Sequence, residues 1–363
     1  MPTKDIYIGT MSGTSADAVE SCALNIDKKS ITILGSYSTK ITSKDQTKIL
    51  NLAAGKSSTV QDFGEINQSC TRYFLKSIQG LIRKNFIKHS KVKGIGLSGQ
   101  TVWHAPKSRN PFSIQLGDPN YISHALGVPV VSDFRNSHIA LGGEGAPLTT
   151  YFHHEMFRSQ KSRLIINLGG ITNFTFLKKS FVLGSDAGPA NALMDIYCQK
   201  VLKKKFDKGG EVASKGNIHK SSINEMSKHF FFRKKLPKST GKEIFNFNFI
   251  PKKLLKQSKE DVLATLNFFS AMMIFEQTQK LKKAIDEIYV CGGGIKNQTL
   301  VCNLESLFKT KIKSSKEIGL DPMLVESAAF GWLAKKRMDR EMLQVLNKDK
   351  ITKGLLGSIT KIR

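Results

Sequence analysis

One carboxylate, Asp186, stands in the run Leu183-Gly184-Ser185-Asp186-Ala187-Gly188-Pro189-Ala190-Asn191, between a β-rich segment and a helix-patterned one. A sharp strand-to-helix turn holds such a side chain rigidly toward a cleft, which suits a general base. The rival reading is a helix cap. Pro189 fits the first helical position, which makes Gly188 the N-cap and leaves Asp186 two residues too early. Local sequence leaves both readings open.

Phosphate contact is the second chemistry these residue types suggest. Gly9 and Gly13 permit close backbone approach, while Thr10, Ser12, Thr14 and Ser15 set hydroxyls beside backbone N–H donors. The stretch lacks GxxxxGK[ST] and leads into a strand, so it is no P-loop; an ordinary polar hairpin is the alternative. A similar turn, Gly169-Gly170-Ile171-Thr172-Asn173, interrupts the β-patterned Arg163–Leu177. Gly292-Gly293-Gly294 closes the strand Glu287–Cys291, where a flat ring or a phosphate can press on backbone. Arg135, at the strand end Asp133-Phe134-Arg135, suits a bidentate grip on a carboxylate or phosphate, or an ion pair with Asp133 or Glu144. Ser98-Gly99-Gln100-Thr101 reads as a polar strand end facing the cleft.

Three formal motif matches are discounted. Gly94, Gly96 and Gly99 spell a dinucleotide fingerprint, but Pro106 and Pro111 deny it the following helix. Lys238-Ser239-Thr240-Gly241-Lys242 resembles a phosphate loop only superficially, because the flanking glycines are missing. His153 and His154 are adjacent, so they do not face one another, and no carboxylate is spaced to complete a metal site.

The positioning elements are legible from periodicity. Strands are expected over Asp5–Gly9, Ala18–Ile26 and Ile31–Tyr37, with a turn at Asp27–Ser30. A helix follows over Val60–Arg83, then a strand over Val92–Leu97, a short helix opened by Asp118-Pro119 and a buried strand over Val128–Ser132. In the second half, strand Phe181–Gly184 runs toward Asp186, and residues 200–257 are basic and loop-rich. Ser258 and Asp261 form a capping box for a helix over Ser258–Ile285, whose stripe Val262, Leu266, Phe269 and Met273 is core. A last helix covers Leu324–Met338, and the Lys-rich residues after about Asn347 read as a poorly ordered tail. Both halves open as β–turn–β–β, so two related domains facing one another across a cleft are expected, with a hinge between Gly142–Pro147 and about Lys161.

Bulk properties bound the class. The chain has 363 residues, above the roughly 250–300 at which single cores stop growing, and 40% are hydrophobic. No apolar run approaches the ~20 residues of a membrane span, and Met1–Ser15 lacks a signal-peptide core, so a soluble cytoplasmic protein is expected. Five cysteines, odd in number and without a CxxC pair, argue against a disulfide framework and a zinc site. The net charge of +27 is scattered in short groups such as Lys203–Lys205, the pattern of a wet surface rather than of a nucleic-acid groove. Such a surface still attracts anionic substrates.

Two β–turn–β openings, a mid-chain Asp and a GGG strand end look like the actin-like ATPase superfamily. Specific motifs narrow the likeness: MSGTSAD at Met11–Asp17, GQT at Gly99–Thr101, GDP at Gly117–Pro119, DFR at Asp133–Arg135, NLGGITN at Asn167–Asn173, DAGPANALMD at Asp186–Asp195, PKSTGKEIFN at Pro237–Asn246, VCGGGIKN at Val290–Asn297 and ESAAFGWLA at Glu326–Ala334. In this order they resemble the anhydro-N-acetylmuramic acid kinase family over nearly the whole chain. The resemblance implies a two-domain α/β, actin-like (ribonuclease H-like) fold with mixed sheets flanked by helices and a central cleft. Residues 1–155 would form the domain with the ATP-phosphate hairpin, and 156–363 the domain with the catalytic Asp and the GGG loop. It implies a kinase that opens the 1,6-anhydro bridge with water and phosphorylates the freed 6-oxygen, using ATP and Mg²⁺, as a homodimer in cell-wall recycling.

By the same resemblance Asp186 is the general base. ATP falls to Gly13, Thr14, Ser15, Ala16, Asp17, Ala18, Val19 and Glu20, with Gly169, Gly170, Gly292, Gly293 and Gly294. Arg135 is the candidate partner of the sugar's lactyl carboxylate, with Gln100 and Glu326 also assigned to the sugar; no residue is assigned as a metal ligand. The chain departs from the family's usual pattern at Ala18, Glu20, Ser98, Ala187 and Ala190, and an alanine in place of glycine at 18 removes backbone freedom. A nucleotide- or muropeptide-binding sensor with weakened catalysis is the alternative from another class. Charge alone suggests a third, a nucleic-acid-binding protein.

Overall fold

The computed structural model describes residues 5–27, 31–179, 181–241, 244–347 and 350–361. They form two compact units, Met1–Phe152 with Leu324–Arg363, and His153–Met323.

In the first unit the alternating residues of β1 (Ile6–Ser12), β2 (Ala18–Ile26) and β3 (Ile31–Lys40) pair antiparallel. β4 (Val92–Ala105) lies parallel to β1, and its far end turns back antiparallel into β5 (Phe112–Leu116). β6 (Val130–Ser132) lies parallel to β4, giving the order β6-β4-β1-β2-β3. Ile8, Ala23, Ile95 and Leu97 pack with Phe74, Ile78 and Leu81 of helix Val60–Lys84. That helix starts at Thr59, whose hydroxyl accepts from the Asp62 N–H at 3.0 Å while its own N–H donates to the Asp62 carboxylate at 2.9 Å. The reciprocal pair satisfies two backbone donors that the first turn leaves open.

The last helix, Val325–Met338, belongs to this unit, whereas the sequence reading assigns all of 156–363 to a second domain. The reason is a backbone contact. A Cβ on Gly9 would lie 1.8 Å from the Ser327 carbonyl oxygen and 2.4 Å from the Gly331 nitrogen. Only a residue without Cβ lets helix and strand approach so closely. Nor is the chain after Asn347 an unstructured tail: Leu343–Asn347 and Lys350–Gly354 form a hairpin, and Ser358–Thr360 pairs antiparallel with β6.

The second unit repeats the order. β7 (Arg163–Leu168), β8 (Ile171–Lys178) and β9 (Phe181–Pro189) pair antiparallel, and β10 (Glu287–Cys291) lies parallel to β7 with β11 (Lys313–Ser314) beyond it. Leu164, Ile166, Phe174 and Val290 pack with Leu300 and Leu304 of helix Gln298–Phe308. Helix Lys259–Gln279, capped by Ser258 Oγ on the Asp261 N–H at 3.1 Å, buries Val262, Leu266, Phe269 and Met273 against Leu193, Phe231 and Phe245. Each unit thus carries three antiparallel strands extended by two parallel ones, flanked by helices, which is the mixed α/β arrangement expected.

Replacing Gly9 by Ala is expected to destabilise the protein by about 3 kcal/mol, since the clash is with backbone that cannot rotate away. A urea-unfolding midpoint unchanged from the parent would refute the close approach.

Candidate active site

The β1–β2 turn is braced from within. Ser12 Oγ donates to Gln100 Oε1 at 2.6 Å, and Gln100 Nε2 donates to the Gly13 carbonyl at 3.2 Å. Gln100 is only 2% exposed, so its amide shapes the turn rather than facing open space. It lies inside β4, which runs on to Ala105 instead of ending near Leu97, because β5 pairs with residues 100–105. Within the turn, Ala16 N–H closes on the Gly13 carbonyl at 3.0 Å, and Ser15 Oγ donates to Asp17 Oδ1. Thr14 and Ser15 are exposed. The strained position is Ala16, at φ 48°; Ala18 begins β2 opposite Lys40 and is absent from the positive-φ residues, so a methyl there costs no backbone strain. Glu20 accepts from Ser38 Oγ at 2.7 Å.

Arg135 sits in the short helix Phe134–Ala140, not at a strand end, because Asp133 takes a left-handed conformation (φ 55°) and starts the turn. Its Nη1 donates to the Gly145 carbonyl at 3.0 Å, while Lys107 pairs with Glu144 and Asn136 with Asp133. Beside it, His138 Nδ1 accepts from the Gly145 N–H at 2.8 Å, which leaves Nε2–H to donate to Tyr151 Oη at 2.8 Å. Burial, helped by the Arg135 charge, pushes both His138 and His104 down to about 4. Glu326 occupies the first turn of helix Val325–Met338 in the same unit.

In the other unit Asp186 lies inside β9, which continues to Pro189; the following helix, Ala192–Tyr197, starts at Asn191. The expected strand-to-helix turn at Asp186, with Gly188 as N-cap, is therefore replaced by a β-bulge. Thr172 pairs with Gly188 and Asn173 with Asp186, so Ala187 has no partner across the ladder. A bulge of this kind re-aims the neighbouring side chain. Ala187 and Ala190 are fully buried, so the methyl at 190 sits in core and position 187 offers no hydroxyl there. Ser98 likewise spends its hydroxyl locally, on the Gly99 carbonyl at 2.8 Å.

The backbone around Lys238 covers the edge of β9. Asp186 N–H donates to the Lys238 carbonyl at 2.9 Å, and Lys238 N–H donates to Ser185 Oγ at 3.0 Å. Thr240 N–H then donates to Asp186 Oδ2 at 2.8 Å. Asp186 is 6% exposed, and a buried carboxylate needs such donors. Close by in register, Asn173 Oδ1, and on the strap Thr240 Oγ1, are buried oxygens with no hydrogen-bond partner among the described residues. In sequence Lys238-Ser239-Thr240 reads only as a false phosphate loop and as part of the family motif Pro237–Asn246, with no role of its own; Lys242 lies outside the described residues.

The glycines fall into one cluster. Gly169 and Gly170 carbonyls accept from Asn191, Ala190 and Ala192 N–H groups at 2.9–3.2 Å, and Asn191 Nδ2 donates to the Gly169 carbonyl at 2.8 Å. A Cβ on Gly294 would meet Leu168 Cβ at 2.6 Å and Asn191 Nδ2 at 2.8 Å, whereas one on Gly293 meets nothing within 4 Å. Gly294 is therefore a packing residue, and Gly293 borders open space. Of His153 and His154, His153 is fully buried with Nδ1 2.9 Å from Thr175 Oγ1, a core residue. Among the described residues no three of His, Cys, Asp and Glu are grouped to cage a metal, and no helix is long and apolar enough to cross a membrane.

Mixed α/β units, hairpins of small hydroxylated residues and a buried carboxylate at Asp186 suit the class of phosphotransferases. The model of the family described as anhydro-N-acetylmuramic acid kinase matches residues 5–348. A protein of that name from Gamma-proteobacterium EBAC31A08 is 42% identical over 99% of both chains, and one from Sulfurimonas denitrificans is 36% identical over 94% of this chain and 95% of its own. Among solved structures, the activator of the 2-hydroxyisocaproyl-CoA dehydratase from Clostridium difficile superposes at a TM-score of 0.49 with 12% identity, covering 92% of this chain and 96% of that one. The chain belongs to the anhydro-N-acetylmuramic acid kinase family and is a phosphotransferase.

His104 and His138 are neutral in the fold but take up protons once unfolded, below their ordinary value of about 6.5. Their contribution to stability is complete above that pH and is lost as pH falls toward 4. Urea unfolding between pH 7 and 4 should show this loss, and His138→Gln should reduce proton uptake on unfolding by about one. A parent and variant with the same pH slope would contradict the assignment.

Proposed function

We propose that this kinase uses ATP and water to convert 1,6-anhydro-N-acetylmuramic acid into N-acetylmuramic acid 6-phosphate and ADP, with Asp186 as general base. The observation that carries this reading is the Asp186 carboxylate, buried and oriented by the Thr240 N–H, beside two buried oxygens that a bound polar ligand would satisfy. Asp186 takes a proton from water, and the water oxygen bonds to the anomeric carbon. The bond from that carbon to the bridging 6-oxygen breaks. The 6-oxygen then bonds to the γ-phosphorus as its bond to the β–γ bridging oxygen breaks, and ADP leaves. Asp186 returns its proton to solvent.

In this reading the turn Gly13–Glu20 receives the ATP phosphates, with Gly169 and Gly170 as a second phosphate contact and Gly292–Gly294 toward the adenosine. The exposed Thr14 and Ser15 and the internally braced Gly13 support a rigid cradle of N–H and hydroxyl donors, the preorganisation phosphoryl transfer needs. Arg135 grips the lactyl carboxylate and Glu326 a sugar hydroxyl. Gln100 serves by bracing the turn. Asp17 on this turn and Glu20 just beyond it in β2 would supply the one or two carboxylates that Mg²⁺ takes beside substrate phosphates, and the ion would neutralise charge on those phosphates. A cytoplasmic homodimer recycling cell-wall fragments completes the proposal.

A coupled ADP assay across a panel of amino sugars tests it. ADP release should require the anhydro sugar, and Asp186→Asn should lower kcat by about 10³-fold or more with ATP binding kept. If ATP binds but no sugar stimulates ADP release, the chain is a sensor and the proposal fails.

A further inference from the structure

Lys238 is 1% exposed and has no carboxylate partner among its described hydrogen bonds. Its Nζ donates to the Phe231 carbonyl at 2.8 Å and to Gln277 Oε1 at 2.6 Å, and lies 4.2 Å from the centre of the Phe231 ring. A buried amine is costly to hold, so it persists where it fixes something. What it fixes is the strap. Lys238 backbone exchanges hydrogen bonds with Ser185 and Asp186, and two residues on, Thr240 N–H meets the Asp186 carboxylate. The side chain anchors that backbone to two separate elements, helix Phe230–Arg233 through a carbonyl and helix Lys259–Gln279 through Gln277.

We propose that Lys238 is a positioning residue for the hydrolytic step, holding the Pro237–Thr240 strap so that the Thr240 N–H orients the Asp186 carboxylate. The inference rests on the reading of Asp186 as the base. Lys238 also acts through charge. Burial, joined by the Lys280 and Lys234 charges, presses its amine toward neutrality while Asp186 opposes them, bringing it to about 7. A protonated Lys238 in turn favours ionised Asp186.

The test is a double-mutant cycle with Lys238→Met, which keeps length and apolar bulk without the amine. We expect kcat to fall about 10- to 100-fold, with ATP affinity and the circular dichroism spectrum unchanged. The acid limb of the kcat/KM profile should move upward by about half a unit, as the carboxylate loses a stabilising charge. In the Asp186→Asn background Lys238→Met should cost nothing further, because the two act as one unit. Additive losses, or an acid limb that stays in place, would overturn the proposal. Should Lys238→Met fail to fold, Gln277→Leu removes one acceptor while keeping the amine, and is expected to give a smaller loss of kcat that disappears in the Asp186→Asn background; an additive loss there overturns the proposal equally. If Asp186→Asn alone leaves turnover intact, the base assignment fails instead.

Discussion

A buried carboxylate must be hydrogen-bonded, and around Asp186 much of the second unit is arranged to meet that demand. β9 is the edge strand of its sheet, where unpaired N–H and C=O groups would otherwise face outward. The Lys238–Thr240 strap covers this edge and at the same point donates to the carboxylate. The bulge at Ala187 turns the strand just beyond Asp186, and the Gly169-Gly170 turn secures the chain as it enters helix Ala192–Tyr197. Edge protection and carboxylate orientation are one structure.

The first unit solves a different problem, that of keeping a polar turn rigid while its hydroxyls stay exposed. Gln100 does so from inside the sheet, where its buried amide accepts from Ser12 Oγ and donates to the Gly13 and Thr101 carbonyls. Behind the turn, the contact of Gly9 with helix Val325–Met338 ties β1 to the C-terminal segment. Arg135, Glu326 and the turn therefore belong to one compact unit although Glu326 is almost two hundred residues from Arg135 in sequence. The methyls that Ala18 and Ala190 carry fall where they are tolerated, in extended backbone and in core.

Much of this was legible in residue order. β2 and β10 have the bounds that alternation and turn residues predict, and helix Lys259–Gln279 begins at the Ser258 cap. Periods of 2 and 3.6 and side-chain caps act within a few residues, so the local sequence contains both partners. The repeat of β–turn–β–β was visible for the same reason, and it corresponds to the shared strand order of the two units.

Tertiary structure alone decided the rest. β9 extends through Asp186 because β8 supplies partners as far as Pro189, and β4 extends to Ala105 because β5 folds back on it. Lys238-Ser239-Thr240 looks like a failed phosphate loop until its partner, 54 residues away along the chain, is in place. Sequence by itself determined the family and the class of chemistry, and it singled out the Asp186 carboxylate as the candidate base. It did not determine how that carboxylate is held, because the donor that holds it is a backbone N–H, which every residue but proline carries and no residue type announces.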